Sequence, residues 1–374
     1  MSSRSKQVTA LEALGLIFDH DSKIEEDVSE DEDHLEVNSE SNDSDYEPYE
    51  ETANNIPPSK TFTSKNGEIQ WSSSPNIRQA KLSAENIIET VPGPTRMAMT
   101  CVTDIKSAFQ LVMPNLIQKI IIEMTNLEGS HVLREKWKEH SVMHLCAYLG
   151  VLILPGVYKS KDESIASLWD IETGRAIFHA KMSLETFHIF SLVIRFDNRE
   201  TRAVRWEGDK LAAIRTVWDK WVEQMPLLYN LGPNVTVDER LVAFRGRYPF
   251  RQYMPCKPAK YDIKLWAACD ANTSYAMNMQ VYTGKPVGGA PEKNQGTRVM
   301  FDMAQGLRGH NITCDNLFTS YNLGQELLKR KFRMFRTVQK NRAELPAELL
   351  VTKNRVPQSS MFAFTDTTAL GPHV

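Results

Sequence analysis

Two short stretches carry residue types whose placement could do chemistry. Val237-Asp238-Glu239 ends an apolar, strand-like run, and 77 residues later Cys314-Asp315-Asn316-Leu317-Phe318-Thr319-Ser320 puts a second Asp at the end of another. That separation is enough for two carboxylates to meet across one sheet. Such a pair can hold divalent metal ions that activate water or a hydroxyl and stabilise a leaving oxygen in phosphodiester chemistry. Two-metal sites normally take a third acidic ligand, and none stands in an obvious position before Val374. Singly, each acid also has a plain reading. Asp238-Glu239 could be a surface acidic pair, and Asp315-Asn316 could initiate a turn, since both types favour such positions.

The elements that must position these residues follow from the hydrophobic pattern. Val235 to Phe244 alternates as a strand, and Arg251 to Met254 and Ile263 to Cys269 are further strands. Asn272-Thr273-Ser274 is a turn into a strand from Tyr275 to Tyr282. A helix from about Thr297 to Leu307, a short strand from His310 to Cys314, and a helix from Tyr321 to Arg330 come next. Thr319 or Ser320 could cap that last helix. Strands, helix, strand, helix, with Asp238 on the first strand and Asp315 at the end of a later one, is the order of an RNase H-like core.

Upstream the pattern is helical. Ile105, Phe109, Leu111, Val112, Leu116, Ile120 and Ile121 fit amphipathic helices interrupted at Pro114. Met143 to Leu154 predicts a buried helix closed by Pro155-Gly156. Ser164 to Trp169, Leu184 to Ile194 and Leu211 to Met225 predict three more. Trp169, Trp206, Trp218 and Trp221 are read as packing residues. The predicted fold class is therefore mixed α/β. Residues 1–64 form an acidic, disordered arm with a short amphipathic helix near 7–18, and 65–103 an irregular linker. Residues 104–233 are helical, 234–345 form a partial RNase H-like core, and Met361 to Phe364 is a possible strand in the ambiguous tail.

Charge is unevenly distributed. From Asp19 to Glu51 there are 16 Asp and Glu against one basic residue, Lys23, which leaves 43 Lys and Arg against 31 Asp and Glu elsewhere. A basic body behind an acidic arm points to a polyanion partner, or to an arm that serves only solubility. Arg245, Arg247, Arg251, Lys257 and Lys260 alternate with aromatics, Gly and Pro and could grip phosphates; a solvated hairpin is the plain alternative. Lys329 to Arg333, with Arg336, Lys340 and Arg342, could be a nuclear localisation patch, a DNA contact, or the cationic end of a helix. The five scattered cysteines lack zinc-site spacing, the start lacks a cleavable apolar region, and the longest apolar run is too short to span a bilayer. These features predict a soluble intracellular protein with reduced thiols, no membrane partner and no small-molecule substrate.

The texts from Val237 to Arg251, Lys257 to Lys264 and Asn311 to Ser320 resemble the piggyBac transposase family and its host-genome derivatives. Weaker echoes are Gly93 to Arg96 and Leu149 to Leu152. The resemblance implies a helical region that helps bind DNA and dimerise, followed by a core that cuts and joins DNA with an Asp-Asp-Asp triad and Mg2+. Asp238 matches the first family Asp and Asp315 the second, so both are implied as catalytic residues and metal ligands. Arg245 and Arg247 fall in a motif placed near DNA. The family's third Asp lies about a hundred residues beyond the second, after an inserted domain. None of Glu326, Glu344, Glu348 and Asp366 stands in the expected motif, and 346–374 would begin the insertion or be a frayed tail. The expectation is a nuclear, transposase-derived protein that binds double-stranded DNA, with a possible homodimer, and does not cleave it. The alternatives are part of an active metal-dependent transposase, or an interaction factor acting through the acidic arm.

Overall fold

The computed structural model describes residues 59–75, 88, 90–160, 163–244, 246, 248, 250–255, 261–284, 292, 294–315, 318, 320–351 and 361–371. Residues 1–58 of the acidic arm, with its predicted helix near 7–18, lie outside the described residues, as do Arg245, Arg247, Lys257 and Lys260; the end of the arm, expected to be disordered, instead contains a strand at Thr61–Thr63. In chain order the strands are β1 (Thr61–Thr63), β2 (Gln70–Ser72), β3 (Gly93–Pro94), β4 (Tyr229–Asn230), β5 (Asn234–Ala243) and β6 (Gln252–Tyr253). They continue with β7 (Tyr261–Asp270), β8 (Ala276–Val281), β9 (Asn311–Cys314), β10 (Arg333–Phe335), β11 (Ala363–Phe364) and β12 (Ala369–Leu370). The helices are α1 (Arg96–Cys101), α2 (Ile105–Val112), α3 (Asn115–Leu133), α4 (Val142–Val157), α5 (Ile165–Leu168) and α6 (Ala176–Lys181). After them come α7 (Leu184–Val193), α8 (Arg199–Gly208), α9 (Arg215–Leu228), α10 (Gln295–Met303) and α11 (Tyr321–Lys329).

The chain divides into two compact units, one containing residues 83–337 and the other 23–82 with 338–374. In the smaller unit β1, β2, β11 and β12 form an antiparallel sheet. Trp71 is buried there, and its indole N–H donates to the Glu344 carbonyl at 3.1 Å. The 65–103 stretch, expected to be irregular, thus contains β2, and it also contains α1. Strands this short give no periodicity to read, and of the two partners of β2 one, β1, is adjacent in sequence while the other, β11, lies nearly 300 residues away.

The larger unit begins with helices. Pro114 separates α2 from α3 because it has no N–H to continue α2 and its ring keeps Met113 out of the helical region, and Asp104 and Ser107 form a reciprocal cap on α2. Ile117, Ile121, Leu145, Tyr148, Phe178, Phe187 and Phe190 pack into one buried cluster with Trp169. Two predicted helix ends move. Val142–Val157 runs through Pro155, and Arg215–Leu228 runs through Pro226. Each proline sits in the last turn, where it removes one backbone hydrogen bond, and burial of Val151 and Met225 holds the preceding turns. One helix, α8, has no apolar stripe to announce it. It is held by buried acids: Asp197 receives Arg202 and Arg205, and Glu128 receives Arg195 at 2.8 Å and Arg199 at 2.9 Å.

The second core is a six-stranded sheet. β5 runs antiparallel to β7 and parallel to β9; β9 runs parallel to β10, and β8 and β6 pair with opposite ends of β7. Reading β8-β7-β5-β9-β10 gives the strand sequence 3-2-1-4-5 of an RNase H-like sheet. Val235, Val237, Ile312 and Cys314 turn to one face. There they pack against Val299, Met300 and Met303 of α10 and Leu323 and Leu327 of α11. Asp270 fastens the loop before β5, accepting from the Gly232 amide at 2.5 Å and from Asn272 and Thr273 at 2.9 Å. Among the described residues no helix is long and apolar enough to cross a membrane.

Candidate active site and nucleic-acid interface

Alternation on β5 decides which way its acids point. Val235 and Val237 are fully buried, so Asp238 turns to the opposite, exposed face. On β9, Val237 is the register partner of Cys314. The next residue of each parallel strand is therefore Asp238 on one and Asp315 on the other, at a strand spacing of about 4.8 Å. Both are exposed. Asp238 Oδ1 also accepts from the Glu239 amide at 2.7 Å. Asp315 closes β9, its carbonyl accepting from the Phe318 amide at 3.2 Å, and Ser320 then caps α11 by accepting from the Leu323 amide at 3.1 Å.

Glu239 does not join this pair. It lies on the helix-covered face opposite Trp266, and its carboxylate forms a close ion pair with Lys264. The Asp238-Glu239 doublet is thus split between two faces, which excludes the simple surface-pair reading. The thiol of Cys314 is pushed up to about 11, first by burial and further by the nearby Asp315 and Asp238 carboxylates, with Arg336 opposing. One thiol therefore feels both carboxylates and a guanidinium. Arg336, named in the sequence only as part of a basic cluster, and the exposed Arg240, two residues beyond Asp238 on the same face and not singled out there, are cations near the site. Strand alternation was the available signal for Arg240.

Among the described residues no group of three or more His, Cys, Asp or Glu is placed to hold a metal ion. Two carboxylates with hard oxygen donors nevertheless suit a cation such as Mg2+, which commonly takes one or two carboxylates and keeps several waters. Cys314 faces the core, so no soft donor competes. Of the predicted phosphate-gripping residues, Arg251 is described: its guanidinium lies 4.1 Å over the Tyr261 ring and donates to the Gly246 carbonyl at 3.1 Å. The Lys329 to Arg333 cluster forms the end of α11 and the turn into β10. Lys329 pairs with Glu326 at 2.6 Å and Arg330 lies 3.7 Å over the Phe301 ring, which fits the helix-end reading.

The Transposase IS4 family profile matches residues 105–371. The chain is also similar to a piggyBac transposase solved by cryo-EM as a synaptic complex with hairpin DNA: 32% identity, TM-score 0.69, covering 74% of this chain and 59% of that one. The chain belongs to the piggyBac-type transposase family. Transposases of this DDE superfamily generally use divalent metal ions. The chain spans 59% of the solved piggyBac transposase's length.

Proposed function

We propose that this chain is a transposase-derived DNA-binding protein. In this reading its core grips double-stranded DNA through Arg251 and the neighbouring Arg245, Arg247, Lys257 and Lys260, while Asp238 and Asp315 hold Mg2+ beside the backbone. The observation that carries the reading is the parallel register of β5 and β9, which ends at Val237 and Cys314 and makes the exposed Asp238, midway along β5, and Asp315, just past β9, the next residue on each strand. The metal would supply Lewis acidity toward a phosphate oxygen. Among the described residues the pair has no third carboxylate beside it, and in this reading the core binds DNA without cutting it. A homodimer and a nuclear location belong to the same reading, tested by light scattering of the full chain and by imaging of a tagged copy.

A second reading is favoured by the 59% share of the solved transposase that the chain spans. In it these residues are part of an active cut-and-paste transposase. One experiment separates the two. Labelled duplex DNA is titrated with the full chain at 50 and 200 mM salt, then incubated with Mg2+. The first reading expects salt-sensitive binding, with affinity falling steeply between the two conditions, and no nicking. Metal-dependent nicking that Asp238→Asn abolishes would favour the second reading. Absence of binding at the lower salt would overturn both.

A further inference from the structure

The face that carries Asp238 continues well beyond it. Ala267 of β7 stands opposite Asp238, and alternation places Leu265, Ile263 and Tyr261 on that same face, with Arg240 and Val242 beside them on β5. β6 then adds Tyr253 directly across from Tyr261. Six residues of strand separate Ala267 from Tyr261, which puts the tyrosine pair about 20 Å from the carboxylates. The two rings lie 5.0 Å apart, tilted by 43°, and Arg251 covers the Tyr261 ring. Tyr253 is 58% exposed and Tyr261 42%.

A cross-strand aromatic pair is ordinarily a staple for its hairpin. Here another cluster already serves that purpose. Phe250 is buried, Tyr248 packs against it edge-on at 4.8 Å, and Trp206 of α8 lies 6.0 Å from Tyr248. The hairpin is anchored by that cluster, and the Tyr253–Tyr261 pair faces outward. Two exposed aromatic rings beside the Arg251 guanidinium have the chemistry of a nucleobase platform: rings offer π-faces to any unstacked base, and the cation meets an adjoining phosphate.

We propose that Tyr253 and Tyr261, with Arg251, form a stacking platform for unpaired bases of DNA whose backbone runs along this face, past Arg240, to the Asp238–Asp315 pair. At 3.4 Å per step, 20 Å corresponds to about six nucleotides of stacked strand. The platform therefore engages DNA at its unpaired segment while the carboxylates face a phosphate several steps away. The inference rests on the DNA-binding reading given above.

The test compares two DNAs by fluorescence anisotropy with the full chain: a blunt duplex, and the same duplex carrying a six-nucleotide single-stranded extension with one 2-aminopurine. The wild type is expected to bind the extended DNA about tenfold more tightly, as one or two stacked bases provide, with quenching of the 2-aminopurine. Tyr253→Phe keeps both effects. Tyr253→Leu, checked for an unchanged melting temperature, brings the two affinities to within about twofold and abolishes the quenching. A wild type without preference, or a Tyr253→Leu variant that retains it, overturns the platform while leaving duplex binding standing. Failure of the wild type to bind either DNA overturns the platform together with the reading beneath it.

Discussion

Truncating Ile312 tests whether the structure explains how Asp315 is positioned. Ile312 is fully buried on β9, between Val235 of β5 and Met334 of β10 in register, and β9 has only four residues to hold Asp315 in place. Ile312→Val removes one methylene, worth about 1 kcal/mol. Ile312→Ala removes three carbons, about 2.4 kcal/mol of transfer free energy, and leaves a cavity, for a total of about 3 to 4 kcal/mol. Because the chain has two compact units, a single global unfolding energy is poorly defined, and local amide exchange is the better observable. At about 1.4 kcal/mol per tenfold, peptides covering 234–243 and 311–314 should exchange about fivefold faster in the Val variant and more than about a hundredfold faster in the Ala variant. Equal, small accelerations in both variants would show that β9 is not packed as described. The adjacency of Asp238 and Asp315 would then lose its structural basis.

Further predictions follow from other parts of the molecule. Cys314, buried and held near 11, should be alkylated by iodoacetamide at pH 8 far more slowly than the exposed Cys101 and Cys146, as read by peptide mass spectrometry. Glu163 is held down to about 2 by its two hydrogen bonds from Arg175. A depressed carboxylate contributes stability that is fully present above its ordinary value of 4.5 and is lost as pH falls toward 2. The melting difference between wild type and Glu163→Gln should therefore hold steady at pH 6 to 7 and close as pH drops through that window. Replacing the buried Glu128 by Gln weakens its pairing with Arg195 and Arg199. The expected loss is about 2 kcal/mol, discounted for the exposure of Arg199, and is measured by exchange in 195–208.

What the sequence makes legible follows from where each signal is local. The strands bearing Asp238 and Asp315 are visible because Val235, Val237 and Ile312 alternate with polar neighbours, and period-2 patterning needs no knowledge of partners. The helices around Ile117, Leu145 and Phe187 are equally visible. The helix Arg199–Gly208 is not, because its supports are buried acids, Asp197 just before it and Glu128 some 70 residues upstream. The strand holding Trp71 is hidden because its three residues are too few to show a period, and the buried Trp71 side chain finds its acceptor, the Glu344 carbonyl, far along the chain. Sequence also presented Asp238-Glu239 as a doublet, whereas the pleat assigns one acid to each face and leaves only Asp238 beside Asp315. Alternation alone puts Arg240 on the face of Asp238, whereas the β7 and β6 residues that share that face follow only from the register of β5 with β7 and of β7 with β6.

The proposed function requires that Asp238 and Asp315 act together as one metal site. Mn2+ binding to the full chain, followed by electron paramagnetic resonance, measures this in a cycle of wild type, Asp238→Asn, Asp315→Asn and the double variant. If the two carboxylates share one ion, each single substitution removes as much binding as the double, because the ion has lost one of its two anchors. Losses that simply add, or binding that survives both substitutions, would contradict a shared site.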